Sequence, residues 1–152
     1  MTGREPDIQR DRVAIDIRGR CLCGKVQFFA SSTPMHQFYC HCRSCQTAHS
    51  APFVAGAQFP VSEVRVIGDT RIVRVTSHPE ATPRVTCSDC GTRVMNMSPR
   101  VRTLFPALCD RADWFRPTMH IQWRDRVLDI SDDLPKYLDF PAVFGGTDER
   151  VE

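Results

Sequence analysis

The chain has 152 residues, of which 41% are hydrophobic and 25% charged, ordinary proportions for one folded domain and too short a length for two full ones. A net charge of +2 is too small to point to nucleic acid or an anionic membrane as a partner. No stretch approaches the ~20 apolar residues that span a bilayer.

Residues 1–11 are charged and nearly devoid of apolar side chains, which reads as a flexible arm, and the first dozen residues lack the apolar run of a secretory signal. A cytoplasmic location is expected. In that reducing setting, eight cysteines indicate metal or redox chemistry more than stable disulfides. Alternating apolar residues predict a strand at 13–17 and a second at 26–29, after a turn at Gly24. Residues 37–39 give a third, and 42–50 have the character of one short helical turn. Strands at 63–67 and 71–76 flank Gly68-Asp69-Thr70 and read as a hairpin. Another hairpin-like unit joins 84–86 to 92–95. Further strands are expected at 101–108 and 118–123, a helical turn at 131–137, and a flexible tail over 142–152. The metal-holding domain is then 12–141. Many short strands with turns between them argue for a mainly β domain, its small core clamped by metal. Charge is uneven: seven arginines face three acids between Arg65 and Arg102, and eight acids face three bases from Asp125 to Glu152. The first stretch is either a solvated face or a rim that attracts a small anion.

The cysteines fall as Cys21-Leu-Cys23, Cys40-His-Cys42-Arg-Ser-Cys45 and Cys87-Ser-Asp-Cys90, with Cys109 alone. Thiolate-bound zinc takes four ligands in a tetrahedron. Two cysteines two apart on a strand share a side, and two cysteines three apart share an ion across a tight turn, for which Gly91 supplies the backbone freedom. Neither pair closes a tetrahedron alone. Joined, Cys21, Cys23, Cys87 and Cys90 make a closed structural site whose binding energy becomes folding energy. Cys40, Cys42 and Cys45 supply three thiolates and leave one position open, the mark of a reactive zinc site. Three thiolates acidify a bound water less than three histidines would, and suit exchange of another soft thiolate. A thiol substrate is therefore expected. Cys109 as a fourth ligand would close this second site; its apolar setting favours simple packing. His41 lies between two ligands and is expected to point away from them, in a hydrogen-bonding or surface role. His49 and His120 are either ordinary satisfied histidines or contacts to water or substrate.

These three cysteine motifs, with Gly19-Arg before the first and Gly91-Thr92 after the last, resemble those of the glutathione-dependent formaldehyde-activating enzyme and centromere protein V family. Pro117-Thr-Met-His120-Ile121 and Asp132-Asp-Leu134-Pro135 resemble its later, weaker features. Thr86, Ser50 and Val127 depart from it, standing where members often carry an aromatic residue, a glycine and a tryptophan. The resemblance implies the fold called the β-tent and two zinc ions per chain on the seven cysteines already assigned. It also implies glutathione as the thiol partner and a carbon–sulfur lyase activity on S-hydroxymethylglutathione. Arg43 is a candidate contact for the anionic ends of glutathione. Two other readings remain open at this level: a zinc-containing module that binds a thiol without catalysis, and a nucleic-acid or protein interaction domain.

Overall fold

A computed structural model describes residues 12–77 and 81–151. The N-terminal arm and residue 152 lie outside the described residues. The first strand, β1 (Ala14–Arg20), turns at Gly24 and returns as β2 (Gln27–Ser32), and β5 (Val64–Ile67) adds to the far side of β2. A second sheet of seven strands runs in the order β10, β3, β4, β9, β8, β7, β6. Its members are β3 (His36–Cys40), β4 (Val54–Pro60), β6 (Thr70–Val73), β7 (Arg84–Cys87), β8 (Arg93–Met97), β9 (Val101–Leu104) and β10 (His120–Ile121). All neighbours are antiparallel except β10 on β3. One helix, α1 (Arg43–His49), follows β3. The mainly β class expected from the strand pattern is what forms.

Period-two alternation places Ile17, Phe28 and Ala30 of the small sheet against Ala57, Phe59, Val85, Met95 and Leu104 of the large one, and this is the main core. Gly19 is opposite Phe28 in the ladder of the small sheet, and a side chain at 19 would collide with that ring, so the buried Phe28 lies flat only over a glycine. A smaller apolar cluster of Phe38, Cys40, Cys45 and Ile121 forms around the start of α1, with Val54, Met119, Phe140 and Phe144 packed on it.

Several local expectations are corrected. Strands β5 and β6 do not form a hairpin; they belong to different sheets. Gly68 (φ +111°) lets the chain pass directly over the Lys25–Val26 backbone, where a Cβ would not fit, and so carries it from one sheet to the other. Strand β4 sits between β3 and β9 although its small residues give no alternating signal; Phe38 and Thr103 pack closely over Gly56, and both would have to shift to admit a side chain there. The expected strand at 118–123 shrinks to β10 and runs into a 3-10 turn at Trp123–Asp125. The segment 131–137 is not helical: it runs beside β10, with His120 N–H donating to Pro135 O and Tyr137 N–H to His120 O. Residues 142–144 form a 3-10 turn, and Val151 N–H donates to Lys136 O. No helix among the described residues is long and apolar enough to cross a membrane.

Candidate metal centre

The sulfur atoms of Cys21, Cys23, Cys87 and Cys90 all lie within 4.8 Å of one another. Cys21 and Cys23 sit in the β1–β2 turn and not on a strand, so the turn, closed by Gly24 N–H to Cys21 O and Cys21 N–H to Val26 O, brings the two thiols together. Cys87 ends β7, and the Cys87-to-Cys90 turn is closed by Gly91 (φ +75°), whose N–H donates to Cys87 O. The Cys21–Cys23 and Cys23–Cys87 sulfur separations are 3.5 and 3.8 Å. A tetrahedron with zinc–sulfur bonds of ~2.3 Å spaces its sulfurs ~3.8 Å apart, and a disulfide would need ~2.05 Å. The donor set therefore fits a thiolate-bound ion. Val26 N–H donates to Cys21 Sγ at 3.3 Å, and Thr92 Oγ1 lies 3.1 Å from Cys90 Sγ. Both contacts favour thiolate charge.

Cys40, Cys42 and Cys45 form the other group, again with sulfurs within 4.8 Å. Cys40 ends β3, paired with Val54 and Ile121. Cys42 is the N-cap of α1, where its sulfur accepts the Cys45 N–H at 3.3 Å, the role an oxygen side chain usually plays. Cys42 Sγ also lies 3.3 Å from Ser44 Oγ. Hydrogen bonds from Cys40 and Cys45, then from Ser44 and the Cys45 amide, drive the Cys42 pKa down, while the same partnership and burial push Cys40 up.

Among the described residues no fourth histidine, cysteine or carboxylate joins this trio. Cys109 packs against the main core, with its thiol facing Phe105 O at 3.7 Å, and burial raises its pKa to about 12. Arg43 lies on the exposed side of α1 and donates to Gln46 Oε1. His49, at the end of α1, stands edge-on to Phe105; burial, then the charges of Arg84 and Arg93, lower its pKa to about 4. Ser50 closes the helix in the left-handed conformation (φ 50°, ψ 45°), which a glycine adopts without strain.

His41 and His120, expected as separate side chains, are fully buried and bonded to each other, Nε2 to Nδ1 at 2.9 Å. His120 Nε2 in turn meets Asp132 Oδ2 at 2.9 Å. Sequence gave no sign of this line of three, because its members come from a strand end, β10 and the extended segment after it. Two surface depressions, one beside Ile15–Asp16 and Trp114 and one beside Phe29 and Arg65, lie away from both cysteine groups.

A two-sheet β protein with one four-cysteine and one three-cysteine group, each able to hold a metal ion, defines the class to which this fold and site belong. Residues 16–125 match the family described as glutathione-dependent formaldehyde-activating enzyme, and the chain belongs to that family. A solved Rhodobacter sphaeroides protein is similar at 16% identity and a TM-score of 0.49, over 61% of this chain and 87% of that one. No curated protein matches the chain.

Proposed function

We propose that the chain is a zinc-dependent carbon–sulfur lyase acting on the glutathione adduct of a small aldehyde, such as S-hydroxymethylglutathione. The observation that carries this reading is the contrast between the groups: four sulfurs surround the first position, and three surround the second with no further protein ligand among the described residues. Zinc held by Cys40, Cys42 and Cys45 would supply an open position that lowers a thiol's pKa and holds the thiolate. Zinc at Cys21, Cys23, Cys87 and Cys90 would be structural. In the overall reaction the thiol sulfur adds to the aldehyde carbon and the thiol proton ends on the new hydroxyl; the lyase direction reverses this. The chain's own part is to fix three sulfurs on the end of β3 and the first turn of α1, and to keep that turn against the apolar cluster of Phe38 and Ile121. Family membership supports glutathione as the thiol, and eight free cysteines suit a reducing cytoplasm.

The test is adduct formation from glutathione and formaldehyde, followed by NMR against the spontaneous rate. The wild-type chain should exceed that rate, and Cys42→Ser should lose the excess while keeping the metal of the four-cysteine group. Glutathione binding without any excess rate would turn the assignment to a non-catalytic thiol carrier.

A further inference from the structure

Residue 41 is held at more points than a core histidine needs. Its N–H donates to Ile121 O at 3.0 Å, and its carbonyl accepts Gln46 Nε2 at 2.6 Å, a side chain that also donates to Asp125 O. Its ring lies against Phe53 and edge-on to Trp123, and its Nε2 meets His120. Beyond His120, the Asp132 carboxylate accepts from His120 at one oxygen and from Lys136 Nζ (2.7 Å) and Leu134 N–H at the other.

The chemistry of these groups assigns the protons. An ionised carboxylate only accepts, so His120 carries its proton on Nε2 and offers Nδ1 as a lone pair. His41 must then donate from Nε2, which leaves its Nδ1 bare, and that atom is buried without a partner. One carboxylate on the segment after β10 therefore sets the tautomer and ring orientation of two buried imidazoles in turn. The second belongs to the residue between Cys40 and Cys42. A buried ring that loses such a bond leaves polar atoms unpaired, so its orientation is strongly enforced.

We propose that Asp132, acting through His120 and His41, is a positioning residue for the three-cysteine turn: it locks the backbone between Cys40 and Cys42 and so sets the spacing of their sulfurs. This rests on the reading of Cys40, Cys42 and Cys45 as metal ligands. Outer partners of metal ligands govern affinity by about 10–100-fold, and here the partner acts through backbone in place of a ligating ring.

The experiment uses the full chain with Asp132→Asn, and Asp133→Asn as the neighbouring control. An asparagine has one oxygen where the carboxylate serves three donors, two of them, Lys136 and the Leu134 amide, at the same oxygen. Lys136 keeps it, the amide NH2 turns to His120, and both imidazole tautomers invert. Imidazole nitrogen NMR of the zinc-loaded chain reads that inversion directly. Cobalt(II) titration, with chelator competition, reads the two metal positions separately, because four-sulfur and three-sulfur coordination differ in their visible bands. The expected result is inverted tautomers and about a tenfold or greater loss of cobalt affinity at the trio, with the four-cysteine group unchanged and Asp133→Asn like the wild type. Equal weakening of both positions would overturn the proposal, since it would mark Asp132 as a general fold contact. An unchanged trio, or unchanged tautomers, would overturn it as well. A wild-type chain that takes up only one equivalent would sink the two-position reading itself, and the proposal with it.

Discussion

Removing the metal ions proposed for the two cysteine groups should cost very different amounts of stability. Cys23 and Cys87 are 64 residues apart, and tying them removes loop-closure entropy from the unfolded chain worth roughly 4 kcal/mol at 25 °C by the chain-entropy relation used for cross-links. Cys40 and Cys45 enclose a loop of only a few residues, for which the same relation gives about 2 kcal/mol. Against a total stability of about 5–15 kcal/mol, the first loss is severe and the second moderate. For a domain of this size, about 4 kcal/mol corresponds to a fall in Tm of roughly 8–16 °C. The perturbation is the double change Cys87→Ser and Cys90→Ser compared with Cys42→Ser, each read by urea unfolding under reductant with metal content measured on the same samples. Because Cys87 is buried in β7, a serine there also strands a hydroxyl, so chelated wild type serves as the reference for metal loss alone. Equal losses from the two variants, or a larger loss from Cys42→Ser, would refute the assignment of the first group as the cross-link.

Ser50→Gly should raise stability by about 1 kcal/mol, since the left-handed C-cap strains a side chain there and not a glycine; thermal unfolding checks it. Gly19→Ala should cost about 1–3 kcal/mol, because its methyl would overlap the buried Phe28 ring; denaturant titration reads the loss. Partial burial would raise the Asp132 carboxyl, yet hydrogen bonds from Lys136 and His120 hold it at about 2. A folded-state pKa below the ordinary 3.8 contributes stability that is full above the unfolded value and fades as pH falls from about 4 toward 2. Acid unfolding of Asp132→Asn should therefore be flatter over that window than that of the wild type.

The cysteine groups were legible because ligand chemistry imposes spacing on the chain: pairs two or three apart, and a trio within six residues, have few other uses in a reducing compartment. The β7–β8 hairpin, with Gly91 after its turn, was readable for the same local reason. What escaped was set by contacts distant in sequence. Gly68 looked like a hairpin turn and is instead a crossing point, a fact visible only with Lys25 and Val26 beneath it. Strand β4 is flanked by strands on both sides and built of small residues where Phe38 and Thr103 need room, so neither alternation nor bulk announced it. His41, His120 and Asp132 each looked ordinary, and their line exists because β10 lies parallel to β3 and draws the following segment alongside.

The two groups use one chemistry for opposite ends, and topology decides which. The four-cysteine group joins the β1–β2 turn to the β7–β8 turn, so it lies where two sheets must be held together, and with the proposed ion in place every coordination position would have a cross-linking use. The trio occupies a strand end and the first helical turn that follows it, whose placement is already secured by the β3 ladder, the Cys42 cap and the apolar cluster of Phe38 and Ile121. A fourth protein ligand there would add little to the fold. On the proposed reading, the position that folding does not need is the one left for an incoming thiol, and the proposed role of the buried imidazole line to Asp132 is to keep the three sulfurs in place while that position exchanges.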